Sequence, residues 1–281
     1  MEVRENFLMY KGLPVFGRVS KPHFRREAKE YADKEACFIF VNEGQFSVRA
    51  QDQVLEMAPS TGLLAKCLNY FYELSHAQQK VGNGVDVIGV LLHPPIMEEI
   101  FEADLSLSTH QVNYNLKQVQ IDALLDGFRQ SIAILIDNPD LADEAMLRNK
   151  LKEFVLLLTK SSSSPSSIDF LAAIFKPNHV EFKTVVQSNL YSSLSVDELA
   201  QLCHMSTSSF KRKFNEVYGE SPKKYITQKK VERALALLKV DGTRISDTAY
   251  DVGFETVSTF NRSFKSVTGK SPSEYRLTQT A

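Results

Sequence analysis

Two stretches near the C-terminal end, Ser208 to Tyr225 and Ser258 to Tyr275, share nine of eighteen residues at an offset of 50. The shared set includes Ser208/Ser258, Phe210/Phe260, Arg212/Arg262, Phe214/Phe264, Gly219/Gly269 and Pro222/Pro272. Chance would give about one match, so a structural unit is duplicated. In each copy, small hydroxyl side chains precede long donors: Ser208, Ser209, Lys211 and Arg212 in the first, Ser258, Thr259, Asn261 and Arg262 in the second. That set suits the edges of nucleotide bases. Short side chains let the backbone approach, a guanidinium or ammonium donates to guanine O6 and N7, and an asparagine amide pairs with adenine. Lys213, Lys223, Lys224, Lys229, Lys230, Lys265 and Lys270 are suited to phosphate oxygens.

Helices must hold these residues. Phe210, Phe214 and Val217, like Phe260, Phe264 and Val267, recur at i, i+4 and i+7, which predicts one buried stripe per helix. Ser208, Lys211 and Arg212 fall on another face. Ser195-Val-Asp-Glu198 is a capping box that opens a preceding helix reaching Cys203. His204 to Ser206 form the turn, Ser206 caps the next helix and Gly219 ends it. The second copy repeats the pattern with a helix from Ile245 to Val252, a turn at Gly253-Phe254-Glu255 one residue longer, and a cap at Thr256. Ser221 and Pro222 open a joining helix with Val231, Ala234, Leu235 and Leu238 on its apolar stripe and Asp241-Gly242 at its end. About 18 residues at ~1.5 Å each make a rod of roughly 27 Å. A spacer of that length sets two reading helices close to one DNA turn (~34 Å) apart.

Charge is divided along the chain. Between Lys183 and Arg276 there are 15 Lys and Arg against 10 Asp and Glu, which leaves 18 basic and 24 acidic residues elsewhere out of totals of 33 and 34. An acidic front and a basic back imply that only the back meets a polyanion. The composition, 43% hydrophobic and 24% charged, is that of a globular chain. No apolar run approaches the ~20 residues that span a bilayer, and Met1 to Glu5 lack a secretory signal, so a cytoplasmic location is expected. Cys37, Cys67 and Cys203 are scattered and odd in number, which supports neither a disulfide framework nor a zinc knuckle. No nucleophile elbow or phosphate loop is present, so no catalytic residue, no cofactor and no enzyme activity is expected.

The front part reads as short strands. Ala36 to Val41, Gln45 to Ala50, Gln53 to Met57 and Val85 to Leu92, the last after the turn signal Gly82-Asn83-Gly84, suggest a small barrel or sandwich. Tyr70, Phe71 and Tyr72, with Phe38, Phe40 and Phe46, either line an apolar pocket or fill the strand core. Beyond Pro94-Pro95 the period becomes helical, with Glu98-Glu99 on a solvated face. Ile121, Leu124, Leu125, Phe128, Ile132, Leu135 and Ile136 mark one helix, and Leu147, Leu151, Phe154, Val155 and Leu158 a second. This pair, within residues 117–160, covers the barrel, forms a homodimer, or does both. The serine run Ser161 to Ser167 marks the boundary between a regulatory domain, 1–165, and a DNA-binding domain, 175–281. Asp169 to Pro177 is open to either assignment.

At "LSVDELAQLCHMSTSSFKRKF", "YGESPKKYI" and "ISDTAYDVGFETVSTFNRSFKSVTGKSPSEYR" the chain resembles the AraC/XylS family of bacterial transcription regulators. The resemblance spans Glu181 to Arg276. It implies two helix-turn-helix subdomains joined by a helix, recognition helices in adjacent major grooves of promoter DNA, and activation through RNA polymerase. On the family pattern the base-reading positions are Ser208, Lys211 and Arg212, then Ser258, Thr259 and Arg262. Lys229-Lys230 replace the family's Arg-rich start of the connecting helix. The front part is similar in outline to the family's cupin-like regulatory domain, with "FIFVNEGQFSVRA" the best fragment. A metal-binding cupin needs a His-x-His pair, and His23, His76, His93 and His110 lack that spacing, so no metal is expected. The expected fold is α+β: a cupin-like barrel or sandwich with two helices on its C-terminal side, then an all-α domain with two helix-turn-helix motifs. The front would sense a signal, with a small molecule favoured and a protein partner the alternative.

Overall fold

The run Ala36-Cys-Phe-Ile-Phe-Val41 carries no polar alternation because it lies in a strand covered on both faces. In the computed structural model, which describes residues 3–29, 35–74, 84–162, 164–239 and 243–278, this strand is β4 (Ala36–Glu43). It sits inside a six-stranded antiparallel sheet of order β1-β2-β9-β4-β7-β10. The other strands of that sheet are β1 (Arg4–Tyr10), β2 (Leu13–Lys21), β7 (Thr61–Ala65), β9 (Val85–Leu92) and β10 (Leu116–Gln120), and β4 pairs with β7 and β9. Phe38 stands opposite Leu64 on one side and Val90 on the other. A second sheet, β3-β8-β5-β6, is built from β3 (Arg26–Lys29), β5 (Phe46–Arg49), β6 (Val54–Met57) and β8 (Tyr70–Glu73).

Alternation along β4 divides the core. Cys37, Ile39 and Val41 join Phe46, Val48, Met57 and Tyr70 between the sheets. Phe38 and Phe40 point the other way and meet Phe128 and Phe154 of a helical layer. Among the described residues, that layer holds α1 (Pro94–Phe101), α2 (Ala123–Asp137), α3 (Glu144–Ser161) and α4 (Ser167–Ile174). Two expectations are corrected here. Residues 117–120 continue β10, which pairs with β7, so the helical pair starts at Ala123. The aromatic set does not share one pocket, because Phe38 and Phe40 lie on the opposite face of the sheet from Phe46 and Tyr72. Glu99 is exposed on α1, where Lys11 Nζ approaches it to 2.5 Å, whereas Glu98 is half-buried and accepts from the Leu105 amide at 3.3 Å. His93 precedes α1, and its ring nitrogen is 2.8 Å from the Pro14 carbonyl.

The chain divides between His179 and Val180. This is later than the serine run, because α4 buries Phe170, Leu171, Ala172 and Ile174 in the core of the first unit. Among the described residues, no helix is long and apolar enough to cross a membrane. Gly82, Asn83, His76 and the proposed helix end Asp241-Gly242 lie outside the described residues.

The second unit is all helical. α5 (Phe182–Ser188), α6 (Val196–Leu202) and α7 (Thr207–Tyr218) form the first copy. α8 (Pro222–Leu237) is the joining helix, and α9 (Ile245–Asp251), α10 (Val257–Thr268) and α11 (Pro272–Leu277) form the second copy. α8 has 16 residues, about 24 Å of rod at ~1.5 Å per residue.

Candidate nucleic-acid interface

The repeated residues build the same local structure twice. Both turns use a left-handed residue after the first helix, His204 (φ 52°) and Gly253 (φ 85°). The amides three residues past the end of each first helix, those of Met205 and Phe254, donate 2.9 Å bonds back to the carbonyls of Ala200 and Ala249. The second turn carries one more residue before its cap. Ser206 Oγ then accepts from the Ser209 amide and Thr256 Oγ1 from the Thr259 amide, so α7 and α10 begin with matching hydroxyl caps. Both helices run 12 residues and end at a left-handed glycine, Gly219 (φ 74°) and Gly269 (φ 78°).

The apolar face of each is anchored by aromatic contacts. Phe210 and Phe214 are fully buried with ring centroids 5.8 Å apart, and Phe214 meets Tyr225 at 5.6 Å. Phe260 and Phe264 are 5.5 Å apart, and Phe264 meets Tyr275 at 5.8 Å. The third stripe position departs from expectation. Val217 is half-buried and Val267 is 46% exposed, because the stripe outruns the core at the last turn.

With the phenylalanines fixed inward, the opposite face is turned to solvent. Ser208, Lys211, Arg212 and Lys213 are exposed on α7, as are Ser258, Thr259, Asn261, Arg262 and Lys265 on α10. Ser209 is half-buried, its hydroxyl 3.1 Å from that of Ser206. Among the described residues, neither Arg212 nor Arg262 has an ion-pair partner. Lys213 lies 5.1 Å from the Phe182 ring centroid, which holds its stem along α7. Thr207 Oγ1 donates to Asp197 at 2.7 Å and ties α7 to α6. Burial pushes the Cys203 thiol up to about 11, so the turn offers no thiolate at neutral pH. In the second copy Ser271 and Glu274 form a capping box whose hydrogen bonds hold the Glu274 carboxyl below its ordinary range.

The lysines assigned to phosphate do not share one environment. Lys223, Lys224, Lys265 and Lys270 are exposed. Lys229 pairs with Glu232 at 2.7 Å on the joining helix. Lys230 is corrected outright: only 7% exposed, its ammonium donates to the carbonyls of Ser192 (2.7 Å) and Gly253 (2.9 Å). One signal for this stood in the sequence. Ile226, Lys230 and Ala234 are four residues apart, which places the lysine on the apolar stripe.

Comparison with known proteins matches both units. A model described as a helix-turn-helix domain, of AraC type, matches residues 199–278. A model of the ExsA N-terminal regulatory domain matches residues 36–170. The virulence regulon transcriptional activator VirF of Yersinia enterocolitica is 26% identical over 161 residues, 57% of this chain and 59% of that protein. The HTH-type transcriptional regulator GadX of Escherichia coli is 30% identical over 130 residues, 46% of this chain and 47% of that protein. The chain thus spans less than two thirds of the length of either relative. A solved structure of ToxT from Vibrio cholerae with an unsaturated fatty acid bound is 17% identical, aligned over 99% of this chain and 97% of that one, with a TM-score of 0.38. The two models fall one on each unit: the chain carries an AraC-type helix-turn-helix domain at residues 199–278 and is similar over residues 36–170 to the ExsA N-terminal regulatory domain.

Proposed function

We propose that this chain is a sequence-specific DNA-binding transcriptional activator of the cytoplasm, without enzyme activity. Residues 180–281 read promoter DNA, residues 1–179 regulate that reading, and RNA polymerase is the further partner. The observation that carries the proposal is the pair of matched helices, α7 and α10, each with a hydroxyl-lined, exposed face ending in an arginine with no ion-pair partner among the described residues. Ser208, Ser209, Lys211 and Arg212 read one half-site, and Ser258, Thr259, Asn261 and Arg262 the other. Lys213 and Lys265 bind phosphate.

The first unit supports two further parts of this reading. A cavity of about 270 Å³ lies against both sheets, lined by Cys37, Ile39, Phe46, Tyr72, Val87 and Leu91. Lys21 and Lys29 at its edge pair with Glu27 (2.6 Å) and Glu35 (3.0 Å), so the cavity suits a small apolar effector better than a free anion. On α2, Leu124 (66%) and Ile134 (59%) are exposed with Gly127 between them on the same face, a surface fitted to a second copy of the chain. Native mass spectrometry of the purified chain reads both parts, through a retained small molecule and through a dimer mass.

The test of DNA reading starts from random-sequence duplexes enriched by the wild-type chain. Arg212→Ala and Arg262→Ala are each expected to weaken the enriched duplex by ~1–3 kcal/mol while sparing a random duplex. Failure of the wild type to enrich any sequence overturns the proposal. Equal losses on both duplexes reduce the arginines to phosphate contacts.

A further inference from the structure

The two reading subdomains meet at a junction built from Tyr191, Ser192, Lys230 and Gly253. A Cβ built on Gly253 would lie 2.2 Å from the Tyr191 carbonyl oxygen and 2.6 Å from that of Ser192. The turn of the second subdomain therefore rests backbone to backbone on the chain that follows α5 in the first. Lys230 rises from α8 between them. Its ammonium donates to one carbonyl from each subdomain, Ser192 at 2.7 Å and Gly253 at 2.9 Å, and lies 5.6 Å from the Phe254 ring centroid. Three residues further along α8, the Arg233 guanidinium lies 4.2 Å from the Tyr191 ring centroid.

A helix that joins two bodies fixes their separation along its axis more firmly than their rotation about it. Buried carbonyls need donors, and a buried ammonium needs acceptors. Lys230 satisfies both demands only while the two subdomains keep one mutual orientation, so any rotation that parts Ser192 from Gly253 leaves polar groups unpaired. We propose that Lys230 is a positioning residue that locks the angle between α7 and α10, so that the chain accepts two half-sites at one separation. The proposal rests on the DNA-reading function above and gives it a spacing rule.

The experiment uses the full chain and duplexes enriched by the wild type, together with versions that gain or lose one base pair between the half-sites. Lys230→Met keeps the apolar stem and removes the donors, and Lys230→Arg keeps donors. Lys230→Met is expected to lose about tenfold on the native spacing, in line with deletion of a charged, buried hydrogen bond. It is also expected to discriminate less against the altered spacings and to keep the wild-type salt dependence, with Lys230→Arg recovering part of the loss. A phosphate contact would instead weaken all duplexes alike and lower the salt slope by about 1. That pattern, or an unchanged spacing preference, overturns the proposal.

A second readout needs no DNA. Nitroxides carried on encoded azide side chains at exposed Asn215 and Ser266 report the distance between α7 and α10 by electron double resonance. The wild type is expected to give one narrow distribution and Lys230→Met a broad one. An unchanged distribution overturns the lock. Broadening in a chain that enriches no duplex leaves the lock standing and refutes the DNA reading alone. Should Lys230→Met fail to fold by circular dichroism, Lys230→Gln, with two amide donors on a shorter stem, is read in the same assays. A broadened distribution supports the lock, and a narrow one overturns it.

Discussion

A lysine ammonium inside a folded chain must find oxygen acceptors, and here two lysines do so at joints. Lys230 bridges the subdomains of the second unit. Lys66, 1% exposed at the end of β7, holds the segment at the end of the first unit. Its Nζ donates to the Lys176 carbonyl at 2.9 Å, while Asn115 donates to the Asn178 carbonyl at 3.0 Å and accepts from the Asn178 amide at 2.7 Å. Burial pushes the Lys66 ammonium down from 10.5 to about 8. Below pH 8 both folded and unfolded chains carry the proton, and the cost of burying the charge is fully present. Between about pH 8 and 10.5 the unfolded chain binds more protons, so this group's contribution rises with pH, by at most about 3 kcal/mol. Urea unfolding of wild type and Lys66→Met at pH 7.5 and pH 10 should therefore show the wild type gaining stability relative to the variant. A difference that stays flat across that window would contradict the assignment. Neither lysine betrays its role by residue type, since burial of a cation depends on which carbonyls the fold brings to it.

At the scale of the element, the duplicated helices show how one sequence pattern serves unequal surroundings. Gly219 and Gly269 both end a reading helix in the left-handed region, and a Cβ at either would meet open space. Gly253 is also left-handed, but there the same methyl would strike the Tyr191 and Ser192 backbone. Gly219→Ala should cost only the conformational term, about 1 kcal/mol. Gly253→Ala should cost more, because the clash is with backbone and relief requires parting the subdomains. Thermal melts of the two variants rank them, and equal shifts would show that the close approach gives way freely. The helix starts differ as well. Ser271 forms a capping box with Glu274, whereas Ser221 has Lys224 at the corresponding position and makes no side-chain cap bond. The matched caps, turns and phenylalanines were legible because each depends on neighbours three or four residues away. Val267 was misread because periodicity does not reveal where the core beneath a helix ends.

For the whole molecule, the position of the division governs what can be cut. The serine run suggests a break near residue 165, yet α4 contributes Phe170, Leu171 and Ile174 to the core of the first unit. A fragment of residues 180–281 should fold, by circular dichroism, and bind the duplexes enriched by the full chain. A fragment of residues 167–281 carries α4 without its core and should aggregate more readily, as light scattering would show. A folded 180–281 fragment that binds no enriched duplex would make the first unit part of the DNA-binding machinery.

The order of the residues alone determined the repeat, the two helix-turn-helix units with their caps, and the strand-rich front, because local spacing carries those signals. Tertiary structure alone decided which face of β4 each aromatic takes, where the first unit ends, and which carbonyls the buried Lys230 meets. Those outcomes turn on contacts between residues far apart in the chain, where burial and unpaired carbonyls, rather than local propensity, set the free energy.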